Sequence, residues 1–199
     1  MTRFIDFGAK ESITTGIFTA LILFLHLALL MLLHFLPGVL VLFKESIVAL
    51  VTGPVYVLLI TKVPRRGVFT VCGFATAVTY WMFGFLTVGV VTALGGFLAD
   101  NIAFSHGFRN PARNTAAYIV FSLSKAVGTY IPFYLWGNAF VESLLAMGKG
   151  NEAFIAIFTT NLSLSMGLGI VAANAVCAAL GFMLGYRMLR THFTRAGVA

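Results

Sequence analysis

Apolar residues in this chain fall in long unbroken runs, neither alternating as in a half-buried strand nor striped as in a soluble amphipathic helix. The first run, Ser12 to Leu36 (SITTGIFTALILFLHLALLMLLHFL), contains no charged residue. It is long enough to cross a hydrocarbon core of ~30 Å with some tilt. Pro37-Gly38 closes it with a tight turn. A second run follows over 39–60, interrupted by Lys44-Glu45, and then a cationic loop, TKVPRRG. The third run, 68–86, carries Tyr80-Trp81-Met82-Phe83, and a turn at Thr87 leads into a glycine-rich fourth, 88–103, with Asp100 near its end. The fifth, 115–134, holds Lys125 in its middle and is predicted to end at Pro132. The sixth, 153–184, is too long for one upright crossing and too short for two, which predicts a tilted helix or a kink around Gly167 and Gly169.

The pattern predicts a single membrane domain over 1–199, an all-α bundle of six transmembrane helices. Composition agrees. The chain has 199 residues, 60% hydrophobic and 10% charged, with a mean hydropathy of +0.99. Soluble domains carry roughly 25% charged residues. The first run is longer than the core of a secretory signal and has no small-x-small cleavage site after it, so no signal peptide is expected. Cys72 and Cys177 lie in apolar runs without a CxxC partner and are read as buried thiols. The lead MTRFIDFGAKE is expected to lay Phe4, Ile5 and Phe7 on the membrane surface.

The net charge of +7 changes meaning once the runs are drawn. With the N-terminus inside, Arg3, Lys10, Lys62, Arg65, Arg66, Arg109, Arg113, Arg187, Arg190 and Arg195 fall on inner segments. Lys44, Lys125 and Lys149 do not. Such a bias predicts that both termini are cytoplasmic. No loop is long enough for a basic domain, so nucleic acid is not an expected partner; the lipid bilayer is.

Candidate chemistry lies where polar groups are costly. A charged side chain deep in a span costs ~2.5–3.5 kcal/mol on insertion scales, so Lys44, Glu45 and Lys125 are expected to face the bundle interior. Two readings stay open: an ion pair of Glu45 with Lys125, or a polar pocket opening outward. Tyr80, Trp81, Tyr130, Tyr134 and Trp136 read either as an interfacial belt or as pocket walls. The segment from Leu135 to Glu152, with Asn138 and Glu142, is a candidate lid, and Asn161 a further wall. On the first helix His26 and His34 stand ~12 Å apart along the axis, too far to share one metal ion. His34, near the outer end, is the candidate ligand contact, and His26 is expected to hydrogen-bond a neighbouring helix. No metal site is expected, with His34 an iron contact only if the ligand were haem. Gly16 and Ala20 form a small-xxx-small pair suited to close helix docking. No serine with a base partner, paired aspartates or phosphate loop is evident, so the chain is not expected to be an enzyme or to hold a cofactor of its own.

Five stretches carry a family likeness: GIFTAL (16–21), GPVYVLLITKVPRRG (53–67), GGFLAD (95–100), NTAAYIVFSL (114–123) and LGYRMLRTHFTRAGV (184–198). Through them the chain resembles the Trep_Strep (MptS-like) family of substrate-binding S components of energy-coupling factor (ECF) transporters. The resemblance implies six helices in the plasma membrane of a prokaryote, with both termini inside and a micronutrient captured from outside. It also implies docking on a membrane T component driven by two cytoplasmic ATPases, which hydrolyse the ATP. Gly16 and Ala20 would stand where the family carries an Ala-xxx-Ala docking motif, with glycine in place of the first alanine. The resemblance further implies a pocket closed by the loops at Pro37-Gly38, at Thr87 and over Leu135 to Glu152. The ligand would be a vitamin, a cofactor precursor or haem. A stand-alone secondary transporter and a non-transporting scaffold subunit are the alternatives.

Overall fold

The computed structural model of the protein describes residues 7–105, 107–146, 148, 152–161 and 163–193. Arg3, Phe4, Ile5, Lys149 and Arg195, all named above, lie outside the described residues. Among those described, every regular element is helical: α1 (Ala9–Leu33), a 3₁₀ segment (Gly38–Phe43), α2 (Lys44–Lys62), α3 (Val68–Met82), α4 (Leu86–Phe104), α5 (Pro111–Ala146), α6 (Glu152–Asn161), α7 (Leu164–Met188) and a π turn (Leu189–Phe193). Ala9–Leu33, Gly38–Lys62, Leu86–Phe104 and Leu164–Thr191 are long and apolar enough to cross a membrane, and Val68–Met82 is a shorter apolar helix. The outer surface is apolar, with Met31 73% and Leu164 74% exposed. A water-soluble fold would not leave such a surface bare.

Side-chain contacts fix the helix directions. Thr19 meets Cys72 and His26 meets Tyr80, so α1 and α3 run parallel. Tyr118 reaches Ala49 and Tyr130 reaches Leu42, which sets α5 against α2. Asn114 meets Tyr186 and Tyr134 meets Ser163, which sets α5 against α7. Gly53 packs on Gly181 and Gly185 on Pro54, so α2 and α7, distant in sequence, are parallel neighbours. A Cβ on Gly53 would fall 2.5 Å from the Gly181 carbonyl carbon; only bare backbones approach so closely.

These directions gather the start of α1, α3 and α5 and the end of α2, α4 and α7 at one end of the bundle. All six described arginines lie there: Arg65, Arg66, Arg109, Arg113, Arg187 and Arg190. Arg65 pairs with Glu11 at 2.8 Å, and Arg66 donates to Asn101. Asp100, fully buried, accepts from the Phe69 and Thr70 amides at 3.0 and 2.6 Å and from the Thr70 hydroxyl at 2.6 Å. Gly67 has no side chain to cap α3, so a carboxylate from α4 supplies the acceptor and sits at the positive end of the helix dipole. Midway, Tyr56, Phe69, Tyr118, Phe121 and Phe182 stack on one another and fill the cross-section.

Four element boundaries depart from the sequence expectation. Residues 38–43 wind as 3₁₀ turns, and the α-helix starts only at Lys44. α3 stops at Met82, where Gly84 turns at φ +76° and the amides of Gly84 and Phe85 cap the carbonyls of Trp81 and Tyr80. α5 runs through Pro132, forgoing one backbone hydrogen bond, and bends instead at Gly137 (φ 48°, ψ −122°), a conformation that disfavours side chains. The sixth run is no kinked helix at Gly167 and Gly169. It is divided into α6, which ends at Asn161, and α7, which starts at Leu164, with the Ser163 hydroxyl accepting from the Met166 amide at 3.2 Å as N-cap.

Candidate functional site

At the end opposite the arginines the helices enclose a cavity of about 150 Å³. Its walls are Leu30 of α1, Lys44 and Glu45 of α2, Tyr80 of α3, Phe85 and Val88 around the start of α4, Thr129 and Phe133 of α5, and Phe140 and Leu144 beyond the bend at Gly137. The two charged residues reach it because α2 begins at Lys44, after the 3₁₀ turns. Its first turn therefore points inward at the level where α1, α3 and α5 end, and the helix N-terminus favours the Glu45 carboxylate. The bend at Gly137 folds Phe140 and Leu144, one helical turn apart, over the cavity.

A buried chain of polar contacts links three helices along the wall. The Tyr80 hydroxyl donates to Glu45 Oε1 at 3.4 Å, and His26 Nε2 lies 2.9 Å from the same hydroxyl, its ring edge-on to the phenol at 5.9 Å. With the Tyr80 proton directed to Glu45, Nε2 is the atom of His26 that donates. Glu45 is 3% and His26 2% exposed, so each takes from Tyr80 a partner that water cannot supply.

Lys125 lies below, 2% exposed, its Nζ 4.9 Å from the centre of the Phe121 ring and 6.0 Å from that of Tyr56. It is within Coulombic reach of Glu45, yet no direct ion pair joins the two. The ammonium rests on aromatic faces instead, a geometry that recovers part of its hydration energy.

The other residues singled out from the sequence are spread around this centre. Tyr130, buried, donates to the Leu42 carbonyl and pins the 3₁₀ segment behind the cavity. Trp81 lies at the rim, its Nε1 donating to Leu86 O at 3.2 Å across the α3–α4 turn. Trp136 and Asn138 flank Gly137 and are exposed. Asn161 donates to Ile157 O at 2.9 Å within its own helix. His34 is exposed beyond the last residue of α1, edge-on to Phe35 at 6.2 Å. Among the residues named from the sequence, Lys44, Glu45 and Tyr80 line the cavity, Lys125 and Tyr130 adjoin it, and the remainder do not.

His26 makes the hydrogen bond to a neighbouring helix that the sequence led us to expect, at Tyr80 of α3, and this contact places it in the polar chain, while His34, the candidate ligand contact, lies outside the lining. A signal for this exists: Thr15, Thr19, Ile22 and His26 recur at helical spacing and are the buried residues of α1. The apolar lining, Phe85, Phe133, Phe140 and Leu144 above all, carried no mark to separate it from the many other phenylalanines and leucines. Gly16 and Ala20 are exposed on α1, and no atom lies within 4 Å of a Cβ built on Gly16. Among the described residues no three His, Cys, Asp or Glu side chains gather in a group that could hold a metal ion.

No curated protein and no solved structure matches the chain. One family model does, over residues 9–195, described as that of a hypothetical bacterial integral membrane protein. The match spans α1 to the π turn, and the chain therefore belongs to the Trep_Strep family of bacterial integral membrane proteins.

Proposed function

We propose that this protein is the substrate-binding S component of an ECF-type importer in the bacterial plasma membrane. In this reading α1 to α5 and α7 cross the bilayer. At roughly 15 Å, the ten-residue α6 is about half the length a crossing needs. The arginine-rich end faces the cytoplasm, with both termini on that side, and the cavity opens outward.

The observation that carries the reading is a cavity with a solid floor. Below Glu45 and Tyr80 the section is filled by Lys125 and the packed rings of Tyr56, Phe69, Tyr118, Phe121 and Phe182. A secondary transporter of alternating access needs a second gate below its site and a way to open it. Here the floor is a close-packed core, so release on the far side calls for movement of the whole protein against a partner. Gly16 and Ala20, exposed toward the cytoplasmic end of α1, offer a strip where another helix backbone fits closely. The partner in this reading is a membrane T component, with two cytoplasmic ATPases hydrolysing the ATP; this chain catalyses no step.

The ligand is a small organic micronutrient, such as a vitamin or cofactor precursor, with an apolar body for Phe85, Phe133 and Phe140 and a polar group for Lys44, Glu45 and Tyr80. Pockets for drug-sized ligands measure roughly 300–1,000 Å³, so at about 150 Å³ this cavity must widen to hold one. In this reading the widening comes from an outward shift of Phe140 and Leu144 about Gly137. Haem requires a larger opening still, and His34 lies outside the present lining.

The test is uptake in vesicles. The compound that co-purifies with the chain is identified by mass spectrometry, and its isotope-labelled form is supplied. Accumulation is expected only when the T component and both ATPases are present with ATP. Equal uptake by vesicles holding this chain alone would overturn the reading in favour of a stand-alone transporter.

A further inference from the structure

On the seam of α2 and α7 lies a groove of about 320 Å³, lined by Leu50, Leu180, Met183, Leu184 and Arg187. Gly53, Gly181 and Gly185 bring the two backbones together here, and the larger side chains beside the seam form the walls. Leu180, Met183 and Leu184 are about half exposed, as is Val176 one turn above them. From Val176 to Arg187 the strip rises ~16 Å, about half of a ~30 Å hydrocarbon core. It is thus as long as one leaflet. Its lower end is the arginine-rich end of the bundle, with Arg187 exposed in the last turn of α7 and Arg190 one turn beyond.

We propose that this groove holds one anionic phospholipid of the leaflet at the arginine-rich end. An acyl chain lies along Val176, Leu180 and Leu184, and the headgroup phosphate sits on the Arg187 guanidinium. The apolar strip alone would accept any lipid chain. The cation at its foot makes the choice, because a zwitterionic headgroup carries its own positive charge beside the phosphate. One arginine at the membrane surface corresponds to about a five-fold preference for an anionic lipid.

The site is tested on the purified, delipidated full chain in detergent, titrated with phosphatidylglycerol or phosphatidylcholine and read by native mass spectrometry. The expected result is a single-lipid adduct about five times more abundant with phosphatidylglycerol. Arg187→Gln should erase that preference, while Arg113→Gln, with the same loss of charge at the foot of α5, should preserve it. Met183→Trp, which fills the groove, should remove the adduct for both lipids, with thermal unfolding of the lipid-free protein confirming that each variant is folded. Glycerol phosphate, which lacks chains, should not compete. Equal adducts with the two lipids in the unsubstituted protein would overturn the proposal. A preference untouched by Arg187→Gln, or competition by glycerol phosphate, would do so too.

Discussion

The hydroxyl of Tyr80 lies between two buried partners, 2.9 Å from His26 Nε2 and 3.4 Å from Glu45 Oε1. Tyr80→Phe keeps the ring and removes the hydroxyl through which α1, α2 and α3 are joined. Leaving a buried polar group unpaired costs ~1–3 kcal/mol. The expected outcome is a lowered midpoint of thermal unfolding in detergent. Trp81→Phe, next in sequence but at the rim, should stay within ~0.5 kcal/mol. Equal shifts for the two variants would show that the Tyr80 hydroxyl is not a structural link.

Glycine-to-alanine changes should have opposite signs at two places. At Gly53 and Gly181 the new methyl meets the backbone of the facing helix, and overpacking costs ~1–3 kcal/mol. At Gly169, inside α7 with no atom within 4 Å of the built Cβ, the same change gains up to ~1 kcal/mol of helix propensity. Denaturant or thermal unfolding of the three variants checks the sign.

Asp100 holds the start of α3 through three accepted hydrogen bonds. Asp100→Ala strands the Phe69 and Thr70 amides, with an expected loss of about 2 kcal/mol or more. Asp100→Asn retains one acceptor oxygen and should cost less. Hydrogen exchange at Phe69 and Thr70 should quicken in the alanine variant before exchange elsewhere does.

The exposed strip on α1 predicts a separation of stability from assembly. Gly16 and Ala20 are exposed, so Gly16→Leu and Ala20→Leu should move unfolding midpoints by less than ~0.5 kcal/mol. Co-purification with the T component and ATPases should be lost, while binding of the co-purified compound is retained. Assembly that survives both substitutions would place the docking face elsewhere.

Much of the architecture was written in the apolar runs. Four runs became helices able to span, and the cation bias became the arginine-rich end. What stayed hidden has a common physical cause. A helix that is apolar all round has no solvent face to betray its orientation, so which side looks inward depends on sparse polar residues such as Thr15, Thr19 and His26. The division between α6 and α7 hid for a related reason. Asn161 and Ser163 act there through local bonds to Ile157 and Met166, while Gly167, the more conspicuous breaker, lies quietly in α7 against the Tyr134 ring. Pro132 likewise looked like an end, but the bend in α5 needed the positive φ that Gly137 supplies.

The parallel contact of α2 with α7 bears on how the protein is made. Synthesis delivers α2 well before α7, so the Gly53 face of α2 enters the bilayer before its partner exists. Until the ribosome finishes α7, that face is covered by lipid or by the insertion machinery, and α3 to α5 arrive beside an unfinished seam. Packing order therefore cannot follow chain order. A nascent chain stalled before Leu164 lacks the helix that closes the seam with α2, so maturation should depend on the synthesis of α7.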